Sequence, residues 1–541
     1  LFFVSVEAIA QTAANNNPKL IATFDSTKKK EFKANEPVAS VILVKKGQVI
    51  YKKAFGMVDM ELNVPVNPDM NLRMGSITKQ FTAVWVLQLA EQGKLSLQDD
   101  IKKYIPDYAI KEPITIEHLL THTSGIKSYT NVDSFWKNMH IDMTPRAIIA
   151  LTERDTLEFK PGSKWKYNNT DYVMLGYIIE NVSGKTYEEY VQQNIFTPLA
   201  MNASYYGSDT RIIKNCTKDY KNNEKDFLKS DYISMTLPHA AGSLLSTLED
   251  LWKWNRALYS YKLVKKEWVD NAITPYTLTH GKPTTYGYGL GVSKIQGSKS
   301  IEYGGGIPGF LTMGMYLPDE EIFVAVFSNC DCKSPDAIAA KIAAIALGKP
   351  FNYRAMPLTE ADAKQYEEIY TSEDGEERII RWDKDKPTSQ RGGGNKFTIK
   401  MNEKDKFFFE ESFSFIEFKR NSSGTVNALK FTNRETDSVW KKTNKPLSSE
   451  LKFVNVDAAI LADYVGAYQL APNFILTVML KDGKLFGQAT GQQKIEMQPL
   501  CNVRFKAKDV DAEVEFKKDA SGKTESLILY QGGREMPAKK Q

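Results

Sequence analysis

The sequence predicts an α+β domain over residues 30–350, an antiparallel sheet flanked by helices, with two small antiparallel β-barrels following at 359–445 and 457–541. Three observations carry this reading. Strand-like runs stand at both ends of a helical middle, as in a domain whose sheet is closed by its termini. After the linker GKPFNYRAMPL, helical periodicity gives way to short alternating runs punctuated by turns. Those runs also repeat. IEFKRNSSG at 416–424 recurs as VEFKKDASG at 514–522, 98 residues on. The same offset aligns Tyr366 with Tyr464, Tyr370 with Tyr468, Phe407 with Phe505 and Leu429 with Leu527, a duplication rather than a chance match. Each copy is long enough for a small barrel, which closes its own sheet edges.

Along the chain, LFFVSVEAIAQ begins apolar and reaches Ala8-Ile9-Ala10, which resembles a processing site, so residues 1–10 read as a signal-peptide remnant. Glu7 inside that stretch leaves a membrane-anchor fragment or plain disorder as the alternative. The expectation is an exported protein, periplasmic or secreted, without a stable membrane span. Residues 38–56 read as two strands around a Lys-Gly turn, and 77–92 as a wide-striped helix with Gly93 as its C-cap. From Leu97 to about Ala240 the chain is helix and loop. STLEDLWKWNRAL is a helix with Thr247 and Asp250 in capping positions. YGYGLGV (286–292), LTMGMYLP (311–318) and EIFVAVFSN (321–329) read as strands, and a last helix begins at Ser334.

Bulk properties exclude several classes of function. A chain of 541 residues is too long for one core, and 42% hydrophobic with 25% charged residues is an ordinary globular balance. A net charge of +5 without a basic block argues against nucleic acid as a partner. The four cysteines form no framework, and Cys330 and Cys332 are too close in sequence to be expected to pair with each other. His118 and His122 lie four apart, but HLLTH lacks the glutamate of a zinc-protease helix, so a structural role is expected. No metal or cofactor is called for.

The chemistry begins at LRMGSITKQF. Ser76 stands three residues before Lys79 at a helix start, where free N–H groups favour developing negative charge. The bare Ser-x-x-Lys pattern also occurs at Ser26, Ser124, Ser134, Ser163, Ser438 and Ser449, and Ser76 could simply cap the helix. There is no G-x-S-x-G elbow, which argues against an α/β-hydrolase. Tyr167-Asn168-Asn169 precedes an apolar helix, though Tyr-x-Asn recurs at Tyr129 and Tyr220. IEYGGGIPGF places three glycines where a backbone can be approached closely.

The order Ser76-x-x-Lys79, Tyr167-x-Asn169, then Tyr303-Gly304-Gly305 ahead of a strand, resembles the serine β-lactamase and penicillin-binding-protein superfamily, in its class C β-lactamase-like branch. LLTHTSGI (119–126), AAGSLLSTLEDL (240–251) and GGGIPGF (304–310) look like recurring segments of that branch. The resemblance covers residues 30–350 and implies a β-lactamase/transpeptidase-like catalytic domain with a helical subdomain, followed by lipocalin-like barrels. It implies that Ser76 is acylated, that Lys79 takes its proton, and that Tyr167 moves protons to the leaving group. Asn169, Tyr303, Gly305 and Gly306 would bind substrate, with the N–H groups of Ser76 and Gly306 holding the oxyanion. One position departs from the pattern: the third motif normally opens with Lys or His, and Tyr303 offers a hydrogen bond without charge. A serine hydrolase for a small amide, D-amino-acid peptide or ester is therefore expected. The alternatives are a true β-lactamase or D,D-peptidase, or a non-catalytic penicillin-binding receptor.

Overall fold

β1 (Ala39–Lys45) and β2 (Gln48–Phe55) form the hairpin expected at 38–56. Lys46 and Gly47 take φ of 50° and 75°, the mirror-image turn that suits strand twist in a two-residue loop. The structure is a computed structural model. It describes residues 35–541 except 38, 223–225, 333, 352–353 and short stretches within and between the barrels, so the signal-peptide reading of residues 1–10 lies outside the described residues.

β3 (Gly291–Ile295), β4 (Ser298–Ile307), β5 (Phe310–Leu317) and β6 (Ile322–Ser328) complete an antiparallel sheet in the order β3-β4-β5-β6-β1-β2. β1 pairs with β6 from Ala39–Ser328 to Lys45–Ile322, so the first and last strands of the domain meet at its centre. Both faces are covered, which is why β1 reads as an unbroken apolar run. Ile42 and Val44 face one core with Phe323, Ala325 and Phe327. Val41 and Leu43 face a second core, shared with α5 (Pro335–Ala346).

The helical middle supplies α1 (Thr78–Glu91), α2 (Asn169–Ser183), α3 (His239–Gly242) and α4 (Leu248–Tyr259). α1 is buried on most sides, with Phe81 stacked on Trp254 at 3.9 Å. It ends as expected. Gly93 has φ of 69°, and the N–H groups of Gly93 and Lys94 donate to Ala90 O and Leu89 O at 2.9 Å. Thr247 caps α4 by accepting from Asp250 N at 3.2 Å.

Three expectations need correction. Residues 286–290 form a loop and the strand starts at Gly291; at Gly289, φ 67°, a Cβ would stand 2.8 Å from Lys79 O, so the chain bends there to pass α1. Tyr303, Gly304 and Gly305 lie inside the ten-residue β4 rather than ahead of a strand. Cys330 and Cys332 are bridged to each other, because the turn after β6 brings their Cα atoms to 5.2 Å, within disulfide range.

The described residues up to Arg354, with segments 411–414 and 432–437, make one compact unit, and the rest of 355–541 a second. Each copy of the repeat is a closed eight-stranded antiparallel barrel, running from Glu368–Ser372 to Asp437–Lys442 and from Gly466–Ala471 to Arg534–Lys540. The duplication holds at the level of single bonds. Tyr370 Oη donates to Tyr366 O at 2.9 Å, and Tyr468 Oη to Tyr464 O at 2.8 Å. Phe418 packs on Tyr366 at 4.6 Å, as Phe516 does on Tyr464 at 4.0 Å. Among the described residues no helix is long and apolar enough to cross a membrane. Since each phenylalanine anchors its own barrel, Phe418→Ala and Phe516→Ala should each cost about 3–5 kcal/mol, read by urea unfolding. An effect below about 1 kcal/mol for either would show that its barrel does not rest on this contact.

Candidate active site

Ser76 lies in a single 3₁₀ turn, Gly75–Ile77, that leads into α1. It does not cap the helix, since no side chain caps either the turn or α1. Its hydroxyl faces two partners instead. Lys79 Nζ is 3.0 Å away, and Tyr167 Oη donates to Ser76 Oγ at 2.6 Å. The turn is held by backbone. Met74 N donates to Leu244 O, and the Met74 carbonyl accepts from Thr312 Oγ1, both at 2.8 Å.

Lys79, completely buried in the first turn of α1, donates to Asn169 Oδ1 at 2.8 Å and to Ala241 O at 2.9 Å. Asn168 caps α2 by accepting from Thr170 N at 2.8 Å, which leaves Asn169 as the first helical residue, aimed at Lys79. Asn169 is fixed in turn by Ser128 Oγ, which accepts from its N–H at 3.1 Å, and by Thr130 Oγ1, which accepts from Nδ2 at 3.2 Å.

Burial decides the protonation states. It pushes the Lys79 amine well below its ordinary range, opposed by the nearby Asp171 carboxyl, and it pushes that carboxyl well up. The Tyr167 ring is 37% exposed, but its hydroxyl is enclosed; burial pushes the phenol up to about 12, with Ser76 and Tyr303 opposing the rise. Burial thus favours the uncharged forms of both the amine and the phenol around the serine. With the amine uncharged, Ser76, which accepts from Tyr167, can turn its own proton toward Lys79.

Tyr303 is buried, and its hydroxyl shares a 2.7 Å hydrogen bond with that of Tyr286. Its interaction with Tyr167 extends the chain to Tyr286–Tyr303–Tyr167–Ser76. Gly306 lies beside Gly75, where φ is 54° and a Cβ would stand 2.9 Å from Gly306 N. This brings the Ser76 and Gly306 backbones together, as an oxyanion site needs. Gly305 is a correction. A Cβ there would stand 1.9 Å from Met74 O, so this glycine lets the serine turn approach β4 and does not face substrate.

Two clefts share Ser76, Asn169 and Gly306. One, about 330 Å³, is walled by Tyr129, Phe135, Trp136, Ile233, Ile307 and Pro308. The other, about 550 Å³, is lined by Trp165, Tyr167, Tyr286, Tyr303 and Glu302. Glu302 pairs with Arg434 and accepts from Ser300 Oγ. Among the described residues no lysine or arginine lines either cleft, and the nearby Lys166 pairs with Glu158. Sequence reasoning missed Thr130, Tyr286 and the Ala241 carbonyl. Tyr129-Thr130-Asn131, noted in the sequence only as a recurrence of Tyr-x-Asn, lines the smaller cleft. Among the described residues no group of three His, Cys, Asp or Glu is arranged to hold a metal.

A family model described as Beta-lactamase matches residues 22–348, and one described as a domain of unknown function (DUF3471) matches 452–540. The chain is 24% identical to "Penicillin-binding protein 4*" of Bacillus subtilis, over 92% of this chain and 94% of that protein. It is 26% identical to a D-aminopeptidase of Gluconobacter oxydans, over 58% of this chain and 60% of that protein. A D-stereospecific amidohydrolase from Streptomyces superposes with a TM-score of 0.51 at 27% identity, covering 58% of this chain and 94% of that one.

The amine at the centre gives a pH test. A base works unprotonated, so activity should rise with pH through the lowered Lys79 value, on a limb well below 10.5. With Tyr167 near 12, no falling limb from the phenol should follow below about pH 10. Lys79→Ala should lose acylation by two or more orders of magnitude, on the scale of about 10²–10⁴ for a positioned base. Rapid-mixing acylation rates across pH check both; a wild-type acid limb near 10.5 would refute the assignment.

Proposed function

Because the chain belongs to the beta-lactamase family, we propose that it is a serine hydrolase acting through an acyl-enzyme on Ser76. The observation that carries this reading is the convergence of Lys79 and Tyr167 on one serine hydroxyl, at 3.0 and 2.6 Å. Neutral Lys79 accepts the Ser76 proton as Oγ attacks a carbonyl carbon. The resulting oxyanion is held by the N–H groups of Ser76 and Gly306. Tyr167 gives its proton to the departing nitrogen or oxygen, and is reprotonated from Lys79 by way of the vacated site. Water then attacks the ester by the reverse route. Asn169 keeps the amine aimed throughout.

The substrate class we propose is a small amide, peptide or ester of a D-amino acid with an apolar side group. Similarity to a D-aminopeptidase and to a D-stereospecific amidohydrolase supports it, as do the apolar wall around Phe135 and Trp136 and the lack of a cation in either cleft. We also propose export to the periplasm or beyond. The Cys330–Cys332 bridge supports this, since disulfides persist in oxidising compartments.

Labelling by a fluorophosphonate that disappears in Ser76→Ala would support the enzyme over a non-catalytic receptor; hydrolysis of D-aminoacyl amides rather than a chromogenic cephalosporin would support the substrate class. A charge-assisted hydrogen bond contributes about 1.5–3 kcal/mol against about 0.5–1.5 for a neutral one. With no cation at the clefts, amidated substrates should therefore be turned over about tenfold better than the matching free carboxylates. Equal kcat/KM for the two would mean that a cation reaches the substrate after all.

A further inference from the structure

His122 lies behind the site, 1% exposed and with φ of +58°, a left-handed conformation that a side-chain-bearing residue seldom adopts. The conformation lets one residue make two bonds to the same loop. Its carbonyl accepts from Lys166 N at 3.0 Å, and its Nδ1 accepts from Asn168 N at 3.2 Å. Those are the two neighbours of Tyr167 in sequence. The imidazole also packs on the Tyr167 ring itself, centroids 4.7 Å apart, with Tyr172 and Tyr286 at 5.0 and 4.9 Å on its other sides. The catalytic tyrosine is thus held before, after and across its ring by a single residue.

The imidazole is itself fixed. Since Nδ1 accepts from Asn168, the ring proton resides on Nε2, which is buried without a polar partner. Asp171 Oδ2 stands 3.4 Å from Nδ1 while Asp171 Oδ1 accepts from Ser124 Oγ at 2.6 Å. All three side chains are within 1% of complete burial. Burial keeps His122 uncharged, pushing the imidazole well below its ordinary range. A neutral ring with one accepting nitrogen suits this bracket; a charged ring would have no acceptor for Asn168.

The geometry points to His122 as the positioning residue of Tyr167, setting the direction from which the phenol delivers a proton to the leaving group. This rests on the acyl-enzyme reading of Ser76. His122 is absent from the lining of both clefts, so its effect should pass through the side chains it packs on, Tyr167 foremost.

Leaving groups separate this role from a merely structural one. An amide needs its nitrogen protonated as it departs, whereas p-nitrophenolate leaves unaided. The test compares a D-phenylalanine amide with the matching p-nitrophenyl ester in wild type, His122→Ala, His122→Asn, Tyr167→Phe and the double variant His122→Ala/Tyr167→Phe. His122→Ala should lower kcat on the amide about a hundredfold, the scale of a positioned acid, with KM nearly unchanged and the ester affected less than about tenfold. In the Tyr167→Phe background the same change should cost almost nothing further, because the two act as one unit. His122→Asn tolerates the left-handed backbone and keeps an acceptor near the Nδ1 position. It should fold, and should lower the amide-to-ester ratio by at least about threefold for want of the ring. Equal losses on amide and ester, an undiminished cost in the Tyr167→Phe background, or an unchanged ratio in His122→Asn would each overturn the inference. If wild type takes no fluorophosphonate label and hydrolyses neither substrate, the acyl-enzyme reading itself fails.

Discussion

The amine of Lys79 has two carbonyl acceptors and no water-facing surface, and most of the site follows from that. Asn169 Oδ1 and Ala241 O take two N–H bonds, at 2.8 and 2.9 Å. Only one direction remains, toward Ser76. A third N–H there would make the group an ammonium in a fully buried position, which desolvation opposes. In the proposed acylation a lone pair in that direction accepts the serine proton, while the serine oxygen receives the Tyr167 hydroxyl. Were Asp171 ionised, its charge would favour the proton on Lys79; burial pushes this carboxyl well above its ordinary range, toward the neutral form.

The same logic explains how a tyrosine serves where a cation normally stands. A lysine or histidine cation at position 303 would lower the pKa of Tyr167 and favour a phenolate, a base. Tyr303, hydrogen-bonded to Tyr286, supplies a donor without charge. Tyr167 is therefore favoured as a phenol, and in the proposed reaction it would act as an acid while proton abstraction falls to Lys79. The division of labour between the two groups is set by the charge that is missing as much as by the groups present.

What could be read from sequence was whatever depends on order along the chain. Ser76, Lys79, Tyr167 and Asn169 were legible because three spaced motifs fall in one sequence, and the structure brings their side chains together. The barrels were legible because a duplicated chain repeats its inward-facing residues. What depends on approach between distant segments was not legible. Gly305 was assigned to substrate, yet its missing side chain makes room for Met74 O from a turn more than two hundred residues away. The loop at 286–290 alternates like a strand but must bend around α1 at Gly289. Tyr129-Thr130-Asn131 looked like a spurious copy of a motif, and only the fold sets it against Asn169. Two cysteines separated by one residue looked unable to pair until the turn after β6 was seen.

Hydrogen bonds that fix the backbone, more than apolar side-chain packing, hold the groups of the proposed reaction in place. The serine turn is pinned by Leu244 O and Thr312 Oγ1, the lysine by the carbonyl of α3, and the tyrosine loop by His122. Around that loop the 122–125 segment makes two further bonds, from Gly162 N to Thr123 O and from Glu158 N to Gly125 O, both at 2.8 Å. Such bonds do not rearrange when charge moves, so little reorganisation is needed as the oxyanion forms. Every group named in the reaction belongs to the same compact unit. The left-handed backbone at His122 and the close approach at Gly305 both cost conformational freedom or space. Each is found where a catalytic segment must be held against another, the placement expected of strain that serves a reaction.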